Sequence, residues 1–192
     1  MKFYQEIILL PNADISVYFL WQKVYQQVHL ALVENKIAKN ASAVGVGFPE
    51  YDADKFSLGT RLRLFAETKQ CLEQIHFEYW LRRFADYIRI LSIKPVPEKV
   101  LGYVCFKHIK VKGSKIKLAR RWAKRHGATI QQAMAHFANY KEQYSRLPYI
   151  NMTSQTNGQH FRLFIEKKIM KRIQTGYYSC YGLSRTTTVP CF

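Results

Sequence analysis

Residues 2–32, KFYQEIILLPNADISVYFLWQKVYQQVHLAL, hold the change of periodicity from which the fold can be read. Residues 2–10 are rich in aromatic and branched side chains and run into Pro11, which cannot donate to a ladder, so they predict a strand. Asp14 or Ser16 can then cap the first free N–H groups of a helix. In that helix Val17, Trp21, Val24, Val28, Ala31 and Leu32 recur at three- and four-residue spacing and form one apolar face. His29 sits at the margin of this face, near Tyr25 and Gln22. Position alone leaves two readings open. One is a boundary histidine bonded to a neighbour; the other is a general base, because imidazole titrates near neutral pH.

Outward from this stretch, residues 42–48 (SAVGVGF) predict a second strand, stopped by Pro49. Residues 60–66 (TRLRLFA) alternate Arg61 and Arg63 with Leu62 and Leu64, the pattern of a half-buried strand. Residues 68–86 read as helical and 87–93 (YIRILSI) as a last strand. The order β-α-β-β-α-β is the split βαβ, or ferredoxin-like, pattern and predicts an α+β protein. Such a fold hosts many activities and leaves function open.

The prolines of residues 92–97 (SIKPVP) read as a linker, giving expected domains over 1–95 and 96–192. The first carries 12 Lys+Arg and 10 Asp+Glu; the second carries 18 and 3. Nearly all of the chain's net charge of +17 therefore belongs to the second half. With 48% apolar residues and only 9 Gly and 6 Pro in 192, disorder and low complexity are excluded. The cysteines Cys71, Cys105, Cys180 and Cys191 form no CxxC pair, which predicts reduced thiols in a cytoplasmic protein and no metal site. The apolar run at 7–10 is too short for a secretory leader, and nothing approaches the ~20 residues of a membrane span. A positive excess of this size then points to polyanions, nucleic acid first.

In the second half, residues 101–109 (LGYVCFKHI) predict a strand. From Lys107 to Arg125 there are nine Lys/Arg and no acid. Ser114 can cap a basic helix over 115–126, ended by Gly127. At 100° per residue, Lys117, Arg120, Arg121, Lys124 and Arg125 share one side of it, while Ile116, Leu118, Ala119, Trp122 and Ala123 take the docking side. A merely solvated face would mix signs, so the all-positive face predicts phosphate contact. Residues 129–144 read as a second helix, and the pair resembles a helix-turn-helix, the mark of a DNA-binding regulator. There the second helix enters the groove, yet here the first is the basic one. In residues 154–165 (SQTNGQHFRLFI) a polar turn leads into a strand with Phe161, Leu163 and Ile165 on one face and His160, Arg162 and Phe164 on the other. An aromatic here can stack on a base; Phe164 reads instead as core. Residues 180–184 (CYGLS) predict a strand ending in a glycine turn.

Several segments agree on one family: VHLAL at 28–32, VGVGFP at 44–49, LGTRLR at 58–63, KRH at 124–126, SQTNGQHFRLFI at 154–165, CYGLS at 180–184 and VP at 189–190. In this order they resemble the CRISPR-associated endoribonuclease of the type I-F system, which cuts CRISPR precursor RNA at its repeat hairpin. The resemblance implies a ferredoxin-like N-terminal domain and a C-terminal α/β domain with an arginine-rich helix. It implies His29 as the catalytic histidine, Ser154 as the active-site serine and Tyr181 as the tyrosine that arranges the site. It also implies an RNA grip by Lys117, Arg120, Arg121, Lys124 and Arg125, with Thr156 in the RNA-contacting turn and Phe161 stacked under the last base pair. The places where the family reads base edges with an Arg and a Gln hold His108 and Lys110, so the expected hairpin has a different lower stem.

The resemblance further implies a chain that stays on the mature guide RNA as a subunit of the type I-F surveillance complex, in antiviral defence. The acids of the second half are only Glu98, Glu142 and Glu166, too few for two magnesium ions, so no cofactor is expected and the substrate's 2′-OH is the available nucleophile. The general acid is left open between His160 and water. A non-cleaving guide-RNA subunit is the alternative within the family. A Ser-His hydrolase lacks both a third group and the GxSxG elbow.

Overall fold

The computed structural model describes residues 1–111, 113–142 and 145–192 and shows an α+β fold with two antiparallel sheets. The chain forms two compact units, residues 1–109 with 147–192 and residues 110–146. The sequence boundary at residue 95 falls inside the first unit. There β5 (Lys94–Pro95) pairs with β1 (Phe3–Leu9), and the proline segment closes a sheet instead of linking domains.

In the first unit β1 is central. It pairs with β3 (Arg61–Ala66) on one side and, on the other, with β4 (Ile88–Ile90) and β5; β2 (Gly45–Gly47) lies beyond β3. The alternation read in β3 has a physical purpose. Leu62 and Leu64 are fully buried, while Arg61 and Arg63 both pair with Glu6 of β1, at 3.1 and 2.6 Å. Glu6 is itself buried, and two guanidiniums supply the compensation such a carboxylate needs.

Helix α1 (Val17–Glu34) starts at Ser16, whose hydroxyl accepts the Phe19 N–H. Its buried face is Leu20, Trp21, Val24, Tyr25, Val28, Ala31 and Leu32. Trp21 and Tyr25 meet Phe48, and Phe48 meets Phe106 edge-on at 5.1 Å. Phe106 belongs to β6 (Gly102–Ile109) of the second sheet, so both sheets share one core. That second sheet runs β7–β8–β6–β9, with β7 (Tyr149–Thr153), β8 (His160–Met170) and β9 (Val189–Cys191).

The helix expected over 68–86 is broken. It becomes α2 (Lys69–Glu73), α3 (Phe77–Leu81) and a 3-10 stretch, Arg82–Tyr87. Ile75 and Phe77 are both buried, and residues two apart cannot share a helix face, so the chain turns at His76, whose φ is +54°. Phe164 is a second correction. It is half-buried and packs on Tyr149 at 5.4 Å, whereas Leu163 and Ile165 enter the core. Residues 180–184 are not a strand but a tight turn, with the Gly182 N–H donating to the Ser179 carbonyl at 2.7 Å.

The second unit holds α4 (Lys115–His126) and α5 (Ile130–His136), packed through Ala119, Ala123 and Ala133 with Trp122, Met134 and Phe137 around them. Gly127 has φ +62°, the left-handed cap position, and Thr129 and Gln132 form a capping box for α5. The helix expected over 129–144 stops at His136. Residues 137–140 tighten into turns in which Ala138 and Tyr140 donate three residues back, and the Tyr140 hydroxyl donates to Gly113. Residues 143 and 144 of that expected helix lie outside the described residues. Ile116, placed on the docking side, is half exposed. Among the described residues no helix is long and apolar enough to cross a membrane.

Candidate RNA-processing site

His29 lies in the penultimate turn of α1, and its surroundings come from the other end of the chain. Its Nδ1 stands 2.8 Å from the Cys180 carbonyl oxygen. A carbonyl can only accept, so Nδ1 carries the proton and Nε2 of the neutral ring keeps its lone pair. The imidazole stacks on the Tyr181 ring at 4.0 Å and 3°. Burial holds His29 below its ordinary value of 6.5 by penalising the imidazolium, and donation to Cys180 works partly against this. The unprotonated ring is therefore the ground state at neutral pH, as a general base requires.

Tyr181 is pushed above its ordinary value of 10.0, chiefly by burial and then by Cys180 beside it. It remains a neutral phenol and can orient the imidazole without exchanging a proton. Its carbonyl accepts from the Tyr25 hydroxyl at 2.8 Å, so two successive turns of α1 hold residues 180–181. From the other side the Val46 N–H donates to the Gly182 carbonyl at 2.9 Å. Gly182 has φ +69°, and a Cβ there would stand 2.4 Å from Val46. Only glycine lets the turn lie this close to β2.

Ser154 begins the turn between β7 and β8. Its N–H donates to Gln159, and its carbonyl accepts from Gly158. The turn is tied to α1 through its neighbour: the Thr153 N–H donates to Gln26 Oε1 at 3.1 Å, and Gln26 precedes His29 by one helical turn. The structure thus brings the elements bearing His29, Ser154 and Tyr181 together. Thr156 is exposed in the same turn. Phe161 is half-buried, edge-on to Tyr181 with ring centroids 6.4 Å apart, and the His108 ring is tilted to Tyr181 with centroids also 6.4 Å apart. His160 is paired with Thr153, bonding its Oγ1 at 3.0 Å, on the hairpin face opposite Phe161. That orientation disfavours His160 as the acid at a site beside Tyr181.

In the second unit Lys117, Arg120, Arg121, Lys124 and Arg125 are all exposed, and none forms an ion pair with a described residue. Lys110 is exposed at the start of the same unit. Helix α5 carries no Lys or Arg, so the basic surface belongs to the first helix of the pair, against the helix-turn-helix reading. Among the described residues no group of three His, Cys, Asp or Glu gathers to hold a metal.

The profile of a CRISPR-associated protein family, Cas_Csy4, matches residues 4–192. The chain belongs to this CRISPR-associated family. Among curated proteins it is 33% identical over 193 residues to the CRISPR-associated endonuclease Cas6/Csy4 of Escherichia coli (strain UTI89 / UPEC), with 100% of each chain covered. It is 30% identical over 193 residues, again across the full length of both, to the CRISPR-associated endonuclease Cas6/Csy4 of Pseudomonas aeruginosa (strain UCBPP-PA14). Membership of the Cas_Csy4 family agrees with the resemblance drawn from the motifs. Gln26 and the Cys180 carbonyl were absent from that reading. Gln26 had a signal, its three-residue spacing from His29; a backbone carbonyl 151 residues away had none.

Proposed function

We propose that this chain is an endoribonuclease that cuts CRISPR precursor RNA in the repeat hairpin, using the substrate's own 2′-hydroxyl as nucleophile. The observation that carries the reading is the His29–Cys180–Tyr181 arrangement, which fixes the tautomer and the ring plane of one imidazole, while burial favours its unprotonated state. His29 Nε2 takes the 2′-OH proton while Ser154 orients that hydroxyl. The 2′-oxygen bonds to phosphorus, the bond to the 5′-oxygen breaks, and the leaving oxygen is protonated. Products are a 2′,3′-cyclic phosphate and a 5′-hydroxyl end. The five exposed cations of α4 bind the hairpin backbone, Phe161 stacks on the end of the stem, and His108 and Lys110 face its lower bases. The chain then stays on the guide RNA among other subunits of the surveillance complex.

Cleavage of the repeat RNA in EDTA, followed from pH 5 to 9, tests this. For a single base, the rate rises about tenfold per pH unit on the acid side. The bend is expected below 6.5, the direction set by burial of His29, with a plateau above it. End analysis gives a cyclic phosphate and a 5′-hydroxyl. A requirement for magnesium, or a 3′-hydroxyl product, overturns the mechanism.

A further inference from the structure

We propose that Gln26 is a positioning residue for cleavage, holding the Ser154 turn in register with His29; the inference rests on the nuclease reading above. Seen down α1 at 100° per residue, His29 projects between two residues of the preceding turn, Tyr25 and Gln26. Both are anchors, and they reach different segments. The Tyr25 hydroxyl holds the Tyr181 carbonyl at 2.8 Å, and Gln26 Oε1 accepts the Thr153 N–H at 3.1 Å. Thr153 is the last residue of β7, and Ser154 follows it directly. One turn of helix thus sets His29 against both segments that complete its site.

The amide of Gln26 has a fixed orientation, because a backbone N–H can only donate and must face the oxygen. Its Nε2 is then buried and meets no acceptor among the described residues. An unpaired buried donor opposes folding, so the contact is a poor device for stability alone. An apolar side chain of similar length would remove that orphan but strand the Thr153 N–H in its place, so the amide gains little for stability over such a replacement. What the amide supplies is directional: it fixes where β7 ends along α1, and with it the place of the Ser154 hydroxyl relative to His29 Nε2. Misplacement of a reacting group by about 1 Å can cost orders of magnitude in rate without touching the bulk of the binding surface.

The test compares Gln26→Leu, which removes the acceptor, with Gln26→Glu, which keeps one. Single-turnover cleavage of the repeat hairpin RNA encoded beside this chain is measured at saturating protein. Affinity is measured with a 2′-deoxy RNA of the same sequence, and folding by thermal melting. The expected result is a rate about tenfold lower for Gln26→Leu, affinity within about twofold of wild type and a cooperative melt close to that of wild type, since the stranded Thr153 N–H replaces the stranded Gln26 Nε2. Gln26→Glu is expected to retain more of the rate than Gln26→Leu. A Gln26→Leu variant that cleaves like wild type overturns the proposal, as does a rate loss matched by lost affinity. Loss of the fold in both variants assigns Gln26 to structure and also overturns it. If wild type itself does not cleave, the nuclease reading has failed rather than the role of Gln26.

Discussion

Replacing His29 with alanine is expected to lower the single-turnover cleavage rate by about 10²–10⁴-fold, the usual contribution of a positioned general base. Hairpin affinity should change by less than about twofold, because the neutral ring contributes no charge to phosphate binding. The two effects separate because the side chains involved lie in different units. His29 belongs to residues 1–109 with 147–192, and the cations of α4 belong to residues 110–146. The measurement pairs a cleavage time course with a binding isotherm on the same hairpin. A variant that binds normally and still cuts within tenfold of wild type removes His29 from the mechanism. The same comparison decides between a nuclease and a guide-RNA subunit that only binds, since the latter shows no wild-type cleavage to lose.

Converting Arg120, Arg121, Lys124 and Arg125 together to alanine is the second large effect. Each phosphate contact contributes about 0.7–0.9 to the salt slope, which at 0.15 M salt is worth roughly a factor of four to five in affinity. Four contacts together predict a loss of about 10²–10³-fold and a slope shallower by about 3. All four side chains are exposed, and the buried contacts of α4 are made by Ala119 and Ala123, so the fold should survive. Alanine is also the best helix former, which protects α4 itself. At protein concentrations that restore saturation, the cleavage rate should return toward wild type if these residues grip the RNA and take no part in the reaction, as proposed. Unchanged affinity, or an unchanged salt slope, would show that the RNA lies elsewhere.

Local pattern carried a large part of this structure. The apolar spacing of α1, the arginine–leucine alternation of β3 and the basic helix ended by Gly127 are all decided within a few residues, and each element forms where its pattern lies. The Ser114 side chain, however, makes no cap bond, and Glu142 accepts the Lys115 N–H instead. Where two local rules competed, the reading failed. Residues 68–86 have helical propensity, but burial of both Ile75 and Phe77 demanded a break at His76. The prolines after residue 92 resemble a linker, yet Pro95 can pair at the edge of a sheet because that position needs no donor from it. At the site His29 was visible as an ionisable residue at a helix margin. What surrounds it was not: a carbonyl at Cys180, a stacked ring at Tyr181 and, through Gln26 one turn earlier, a hairpin end at Thr153. All are long-range contacts, and only folding brings them to the helix.

The central claim is that the RNA supplies its own nucleophile beside His29. The most direct measurement places a single 2′-deoxyribose at the nucleotide bearing the scissile phosphate and follows cleavage and binding of the repeat hairpin in EDTA. The account predicts unchanged binding, no cleavage of the deoxy RNA, and full cleavage of the all-ribose RNA. Cleavage of the deoxy RNA at the same bond would contradict it.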